Sequence, residues 1–129
     1  MIAIDTNVLL RYLVEDDEEQ AKLARRILEE DMTPERPGLV TLVAVLELDW
    51  VMRAQYDFKA KTVAEVISGL MASPNLVFER ANVVQAALAF VHGDLADNIL
   101  HLTGSAEGCS HTVTFDRKFS RLPGVELLA

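Results

Sequence analysis

Short apolar runs alternate with helical repeats from one end of this chain to the other, and that alternation restricts the fold more than any single motif. Ile2-Ala3-Ile4 is a continuous apolar run of strand length, and Asn7 to Val14 follows with a helical period. From Glu18 to Glu30 the spacing predicts an amphipathic helix, with Ala21, Leu23, Ala24, Ile27 and Leu28 on its inner stripe and charges outside. Two prolines and a glycine make the segment 32–38 a loop. Leu39-Val40 is then a strand, Leu42 to Gln55 a helix, and Lys59 to Met71 a second helix closed by Ser73-Pro74. Leu76-Val77-Phe78 is a strand, Asn82 to Val91 and Asp94 to Ala106 are helices, and Ser110 to Phe115 and Val125 to Leu128 are strands. Helices that connect successive strands build parallel sheets, so the expected class is an α/β sandwich around a mainly parallel sheet.

With 129 residues, half of them apolar, the chain is expected to form one domain over 1–129 with one sizeable core. The lone cysteine, Cys109, excludes an internal disulfide and a cysteine-built zinc site and fits a reducing compartment, so the expected location is the cytoplasm. No basic leader opens the chain, and no apolar run approaches the ~18 residues of a membrane span. A net charge of −8 argues at first against nucleic acid, because affinity for phosphates needs Lys or Arg. The sum hides its distribution: Glu15 to Glu19 is a solvated acidic run at a helix start, whereas Asp116-Arg117-Lys118-Phe119-Ser120-Arg121 is locally basic beside an aromatic.

Four acids stand in or against apolar runs: Asp5, Glu47, Asp97 and Asp116. A carboxylate withdrawn from water is costly unless it is paired, hydrogen-bonded or bound to a cation, and that pattern suggests a metal site. Asp5 and Asp116 each follow a strand, and parallel sheets bind ligands beyond the carboxyl ends of their strands. Glu47 shares helical spacing with Val43, Trp50, Val51 and Ala54 and is expected to face inward. Asp97 lies in a first helical turn, where the dipole favours an anion, three residues after Asp94. Simpler roles compete: Asp5 and Asp94 suit helix N-caps, and Asp116 suits a turn. His92, His101 and His111 lack the paired spacing of a zinc site and receive no role; Trp50, Tyr56 and Phe58 suit packing or an oligomer contact.

Four blocks, in order, carry a resemblance: Ile4-Asp5-Thr6-Asn7-Val8-Leu9-Leu10-Arg11, Val45-Leu46-Glu47-Leu48-Asp49-Trp50, Gly93-Asp94-Leu95-Ala96-Asp97-Asn98, and Thr112-Val113-Thr114-Phe115-Asp116-Arg117. Across essentially its whole length the chain resembles PIN-domain ribonucleases, specifically the VapC-like toxins of toxin–antitoxin pairs. The resemblance implies a three-layer α/β/α sandwich and a Mg²⁺- or Mn²⁺-dependent endoribonuclease that hydrolyses RNA with metal-activated water. It assigns Asp5, Glu47, Asp97 and Asp116 as the acidic quartet, Asp94 as an auxiliary metal ligand, and Thr6, Asn7 and Thr114 as supporting hydrogen-bonders. It also implies a homodimer held inactive by a cognate antitoxin protein. Two departures flank Asp97: Leu95 stands where an aromatic is commoner, and Asn98-Ile99 where Ala-Leu is commoner.

The donor chemistry agrees, since oxygen-only ligands select hard cations. Other classes fit less well. A haloacid-dehalogenase-like phosphatase needs a second aspartate two residues after the first, where this chain has Asn7. A receiver domain needs a phosphoacceptor aspartate after a middle strand, where this chain has Glu79. A catalytically idle nucleic-acid-binding module of the same fold is the remaining alternative.

Overall fold

In a computed structural model that describes residues 1–90 and 93–129, the predicted elements form in the predicted order. Val91, the expected last residue of the fifth helix, and His92 lie outside the described residues. The chain divides into two compact units, Met1–Ala81 and Asn82–Ala129.

Unit 1 is built on β1 (Ile2–Ala3), β2 (Gly38–Val40) and β3 (Leu76–Phe78), all parallel, with β2 central. Parallel pairing demands crossovers. These are α1 (Thr6–Leu13) and α2 (Glu18–Arg26) between β1 and β2, then α3 (Leu42–Ala54) and α4 (Ala60–Met71) between β2 and β3. Gly38 is required by close approach rather than by a turn: a Cβ there would lie 2.5 Å from both Ile4 Cδ1 and Met32 Sδ. Leu9, Val40, Val45, Leu48, Met52, Val63 and Ile67 form the buried centre of this unit.

The second helix departs from expectation at both its face and its end. Leu23 is exposed, because a residue two positions from Ala21 lies on the opposite side of a helix. After Arg26 the helix widens into a π-helical turn, Ile27–Asp31, closed by the Met32 amide donating to the Ile27 carbonyl at 2.9 Å. That turn delivers Met32 to the interior, where it is buried. The acidic run before α2 is engaged as well as solvated. Asp17 caps the helix by accepting from the Gln20 amide, and Asp16 accepts from the Arg11 guanidinium and the Tyr56 hydroxyl.

Unit 2 takes in most of α5 (Ala81–Ala89), then α6 (Leu95–Ala106), β4 (Thr112–Thr114) and β5 (Val125–Leu127), with a 3-10 turn, Phe119–Arg121, between the strands. The strands pair in parallel, Thr112 with Val125 through Thr114 with Leu127. Among its described residues, Val83, Val84, Ala87, Ile99, Phe119 and Val125 are the buried apolar side chains. Gly124, at φ 85°, turns the chain into β5, and a Cβ there would lie 3.1 Å from the His101 ring, itself bonded to Thr112 Oγ1 at 2.7 Å. Among the described residues the parallel strands are hydrogen-bonded as a three-stranded and a two-stranded sheet rather than as one. Strands of two or three residues offer few ladder groups to share with further neighbours.

Candidate functional site

The first strand ends in a cap. Ile4 continues the β1 ladder through its amide to the Leu39 carbonyl at 3.0 Å; the chain then leaves the sheet at Asp5, whose carboxylate accepts from the Asn7 amide at 3.3 Å and starts α1. Thr6 beside it is buried, and Asp5 itself is exposed. The N-cap role is therefore real, and the exposed carboxylate also remains open to a ligand.

Glu47 rides on α3, whose start is fixed twice. Thr41 Oγ1 accepts from the Ala44 amide at 3.1 Å, and Glu79 Oε1, at the end of β3, accepts from the Leu42 amide at 2.7 Å. Glu79 thus ties the central helix to the far strand, a role its position after an apolar run did not reveal. The inward placement expected of Glu47 is corrected: Val43 is 63% exposed, Trp50 59%, and Glu47 lies exposed between them. This helix is apolar nearly all round, so spacing alone did not single out its buried face, which is Ala44, Val45, Leu48 and Met52. Trp50 is accordingly not core packing within the chain. The acid that is buried is Asp49, 4% exposed, in a two-pronged bond to Arg53 at 3.0 and 2.8 Å. Burial marks the structural acid here, and the acids in the predicted quartet are exposed or half-exposed.

Unit 2 gathers three aspartates. Asp94 caps α6, its Oδ1 accepting from the Ala96 and Asp97 amides at 2.7 and 3.4 Å. Asp116 leaves β4 with its amide donating to Thr114 Oγ1 at 3.0 Å, and its Oδ1 accepts from the Lys118 and Phe119 amides at 2.8 and 3.2 Å. Thr114 and the 3-10 turn thereby fix the direction of that carboxylate. Burial in part, then the neighbouring Asp94 and Asp116 charges, hold the Asp97 carboxyl above the usual carboxylate range. All three line a cavity of about 760 Å³ together with Asn98, Lys118 and Arg121. The basic segment after β4 thus contributes two cations to the wall that bears the acids.

Asn98, in one of the two departures that flank Asp97, received no role from the sequence. It is 2% exposed, and its Oδ1 has no hydrogen-bond partner among the described residues. His101 is structural, and His111 pairs with Ser110 and Glu126 at the surface. Among the described residues no three His, Cys, Asp or Glu side chains are arranged to hold a metal ion. The donor set nevertheless suits a hard cation: it is oxygen-only, and although burial raises the Asp97 carboxyl most, the added repulsion from Asp94 and Asp116 is what a cation relieves.

The PIN-domain family model matches residues 2–125 of the 129. The chain belongs to the PIN-domain family. This PIN domain therefore has the α/β fold, of the three-layer α/β/α class, that the alternation and the four blocks predict. PIN domains are generally nucleases and generally use divalent metal ions. No curated protein matches the chain. Among the described residues of this PIN domain, no helix is long and apolar enough to cross a membrane.

Proposed function

We propose that this PIN domain is a Mg²⁺- or Mn²⁺-dependent endoribonuclease acting as the toxin of a toxin–antitoxin pair, and that residues 1–129 work as one nuclease domain. The observation that carries the reading is the wall of unit 2, where three aspartates crowd one another and two cations stand beside them. Acids of that kind attract a divalent ion, and Lys118 and Arg121 attract a phosphate. The family match, which runs through both units, supports the single-domain reading.

In this reading Asp5, Glu47, Asp97 and Asp116 hold the ion, with Asp94 as auxiliary. A divalent ion held there would supply Lewis-acid chemistry toward a phosphate and an acidified water, so none of these side chains would have to act as the nucleophile. Thr114 orients Asp116 through its amide, and the Asn7 amide orients Asp5. Thr6, next to Asp5 in the chain and the first residue of α1, is buried. Local cations supply the attraction for RNA that the net charge of −8 does not. The exposed Trp50 and Val43 suit the subunit contact of a homodimer. PIN nucleases often pair with antitoxins, and a cognate antitoxin is the expected protein partner. A reducing, cytoplasmic setting fits the free Cys109.

The test is cleavage of transfer RNA and a structured ribosomal fragment by partner-free protein in Mg²⁺, Mn²⁺ or EDTA, beside Asp5→Ala. Discrete products that need metal and vanish in the variant are expected. A folded wild type that binds RNA without cutting it under any of these conditions is instead the idle binding module.

A further inference from the structure

Two buried side-chain oxygens lack a hydrogen-bond partner among the described residues, Asn98 Oδ1 and Thr103 Oγ1. Thr103 is only half-buried, and inside a helix its hydroxyl can turn to a preceding carbonyl. Asn98 has no such escape. It is 2% exposed, it lines the cavity that Asp94, Asp97 and Asp116 share with Lys118 and Arg121, and its carbonyl oxygen can only accept. An unsatisfied buried acceptor costs stability that an apolar residue of the same size does not. The chain next to it is bare: at Gly93, φ 96°, a Cβ would lie 3.1 Å from that oxygen.

What completes Asn98 has to be a donor, either water or a ligand group that reaches the cavity wall where, on the functional reading above, the phosphodiester lies. Phosphate and ester oxygens accept and cannot serve. The sugar–phosphate backbone of RNA has one donor of its own, the 2′-hydroxyl, which DNA lacks. We propose that Asn98 is a specificity-determining residue that accepts a hydrogen bond from a ribose 2′-hydroxyl beside the scissile phosphate, so that this PIN domain distinguishes RNA from DNA through a side chain adjoining Asp97. The inference rests on the nuclease reading for its substrate, and it concerns recognition rather than the reaction.

The experiment compares wild type, Asn98→Leu and Asn98→Ser with one RNA oligonucleotide, its all-deoxy counterpart and a series bearing one 2′-deoxy substitution each. Binding is read by anisotropy in Ca²⁺, and cleavage in Mg²⁺ and Mn²⁺. Wild type is expected to favour RNA by about tenfold, the value of one good hydrogen bond, with the preference mapping to one nucleotide. Asn98→Leu brings RNA down to the DNA level, leaves DNA unchanged and melts no lower than wild type. Asn98→Ser, which keeps an acceptor, retains part of the preference and serves if the leucine variant does not fold. An RNA-to-DNA ratio equal in all three proteins overturns the proposal, as does a preference lost on removing a base amino group instead of a 2′-hydroxyl. Cutting with an unchanged ratio leaves the nuclease reading standing and the Asn98 role refuted. Ribose-dependent binding that Asn98→Leu abolishes, with no cutting by wild type, does the reverse.

Discussion

Asp49 in unit 1 and Asp97 in unit 2 are each set in an apolar stretch of helix, yet the structure treats them oppositely. Asp49 is buried and held by both prongs of Arg53, whereas Asp97 is half-exposed and faces two further carboxylates. A buried acid held by both prongs of a guanidinium is satisfied, and an acid crowded by two others gains from a further cation. The same contrast recurs within one turn of α3: Glu47 is exposed, Leu48 is core, and Asp49 is a buried ion pair. Within α3, depth of burial therefore separates the acid that is paired from the one left open to solvent.

Substitutions along that turn put the contrast under most strain. Leu48→Ala removes a fully buried side chain and is expected to cost about 2–5 kcal/mol in urea unfolding, the largest effect here. Glu47→Gln and Asp116→Asn are expected to leave the melting temperature nearly unchanged while metal-dependent cleavage falls by about 100-fold or more. Equal losses of stability in Leu48→Ala and Glu47→Gln would dissolve the distinction. Asp49→Ala, which takes from Arg53 its two-pronged partner, is expected to cost about 1–2 kcal/mol, below the range for a fully buried pair because the guanidinium is partly solvated. Its cleavage per folded molecule should stay at the wild-type level, as assayed at a temperature well below the melt.

The smallest effect concerns pH. The folded state raises the Asp97 carboxyl above its ordinary value, so its contribution to stability is present below the ordinary carboxylate pKa and is lost as pH rises through the raised one. Metal-free protein is thus expected to melt lower at neutral pH than at mildly acid pH from this group. Asp97→Asn should remove that decline, by less than about 1 kcal/mol because the group is only partly buried. Mg²⁺ should raise the wild-type melt more than that of the variant. A variant whose pH profile matches wild type, with no difference in Mg²⁺ response, would show that the crowding has no consequence.

Much of the arrangement was legible in residue order. Among the described residues, strand and helix periods placed the five strands and six helices within a few residues, and Asp94 was identifiable as a cap from the turn it opens. The four acids were picked out because they stand in or against apolar runs and were then matched to four ordered blocks, and the burial argument for Glu47 did not hold. Periodicity finds a buried face only where a helix has a polar one, and α3 does not. The π turn after Arg26 and the Glu79 bond to the start of α3 left no local trace, since each depends on what the segment packs against.

The amino-acid sequence by itself determined the α/β class, the family and the positions of the acids, because alternation, caps and ordered motifs are properties of neighbours along the chain. Only the tertiary structure decided which acid is paired and which is crowded, that Lys118 and Arg121 share a wall with the aspartates, and that Asn98 is buried with an oxygen unsatisfied. Those are facts of distance and solvent access, and residues far apart in sequence set them.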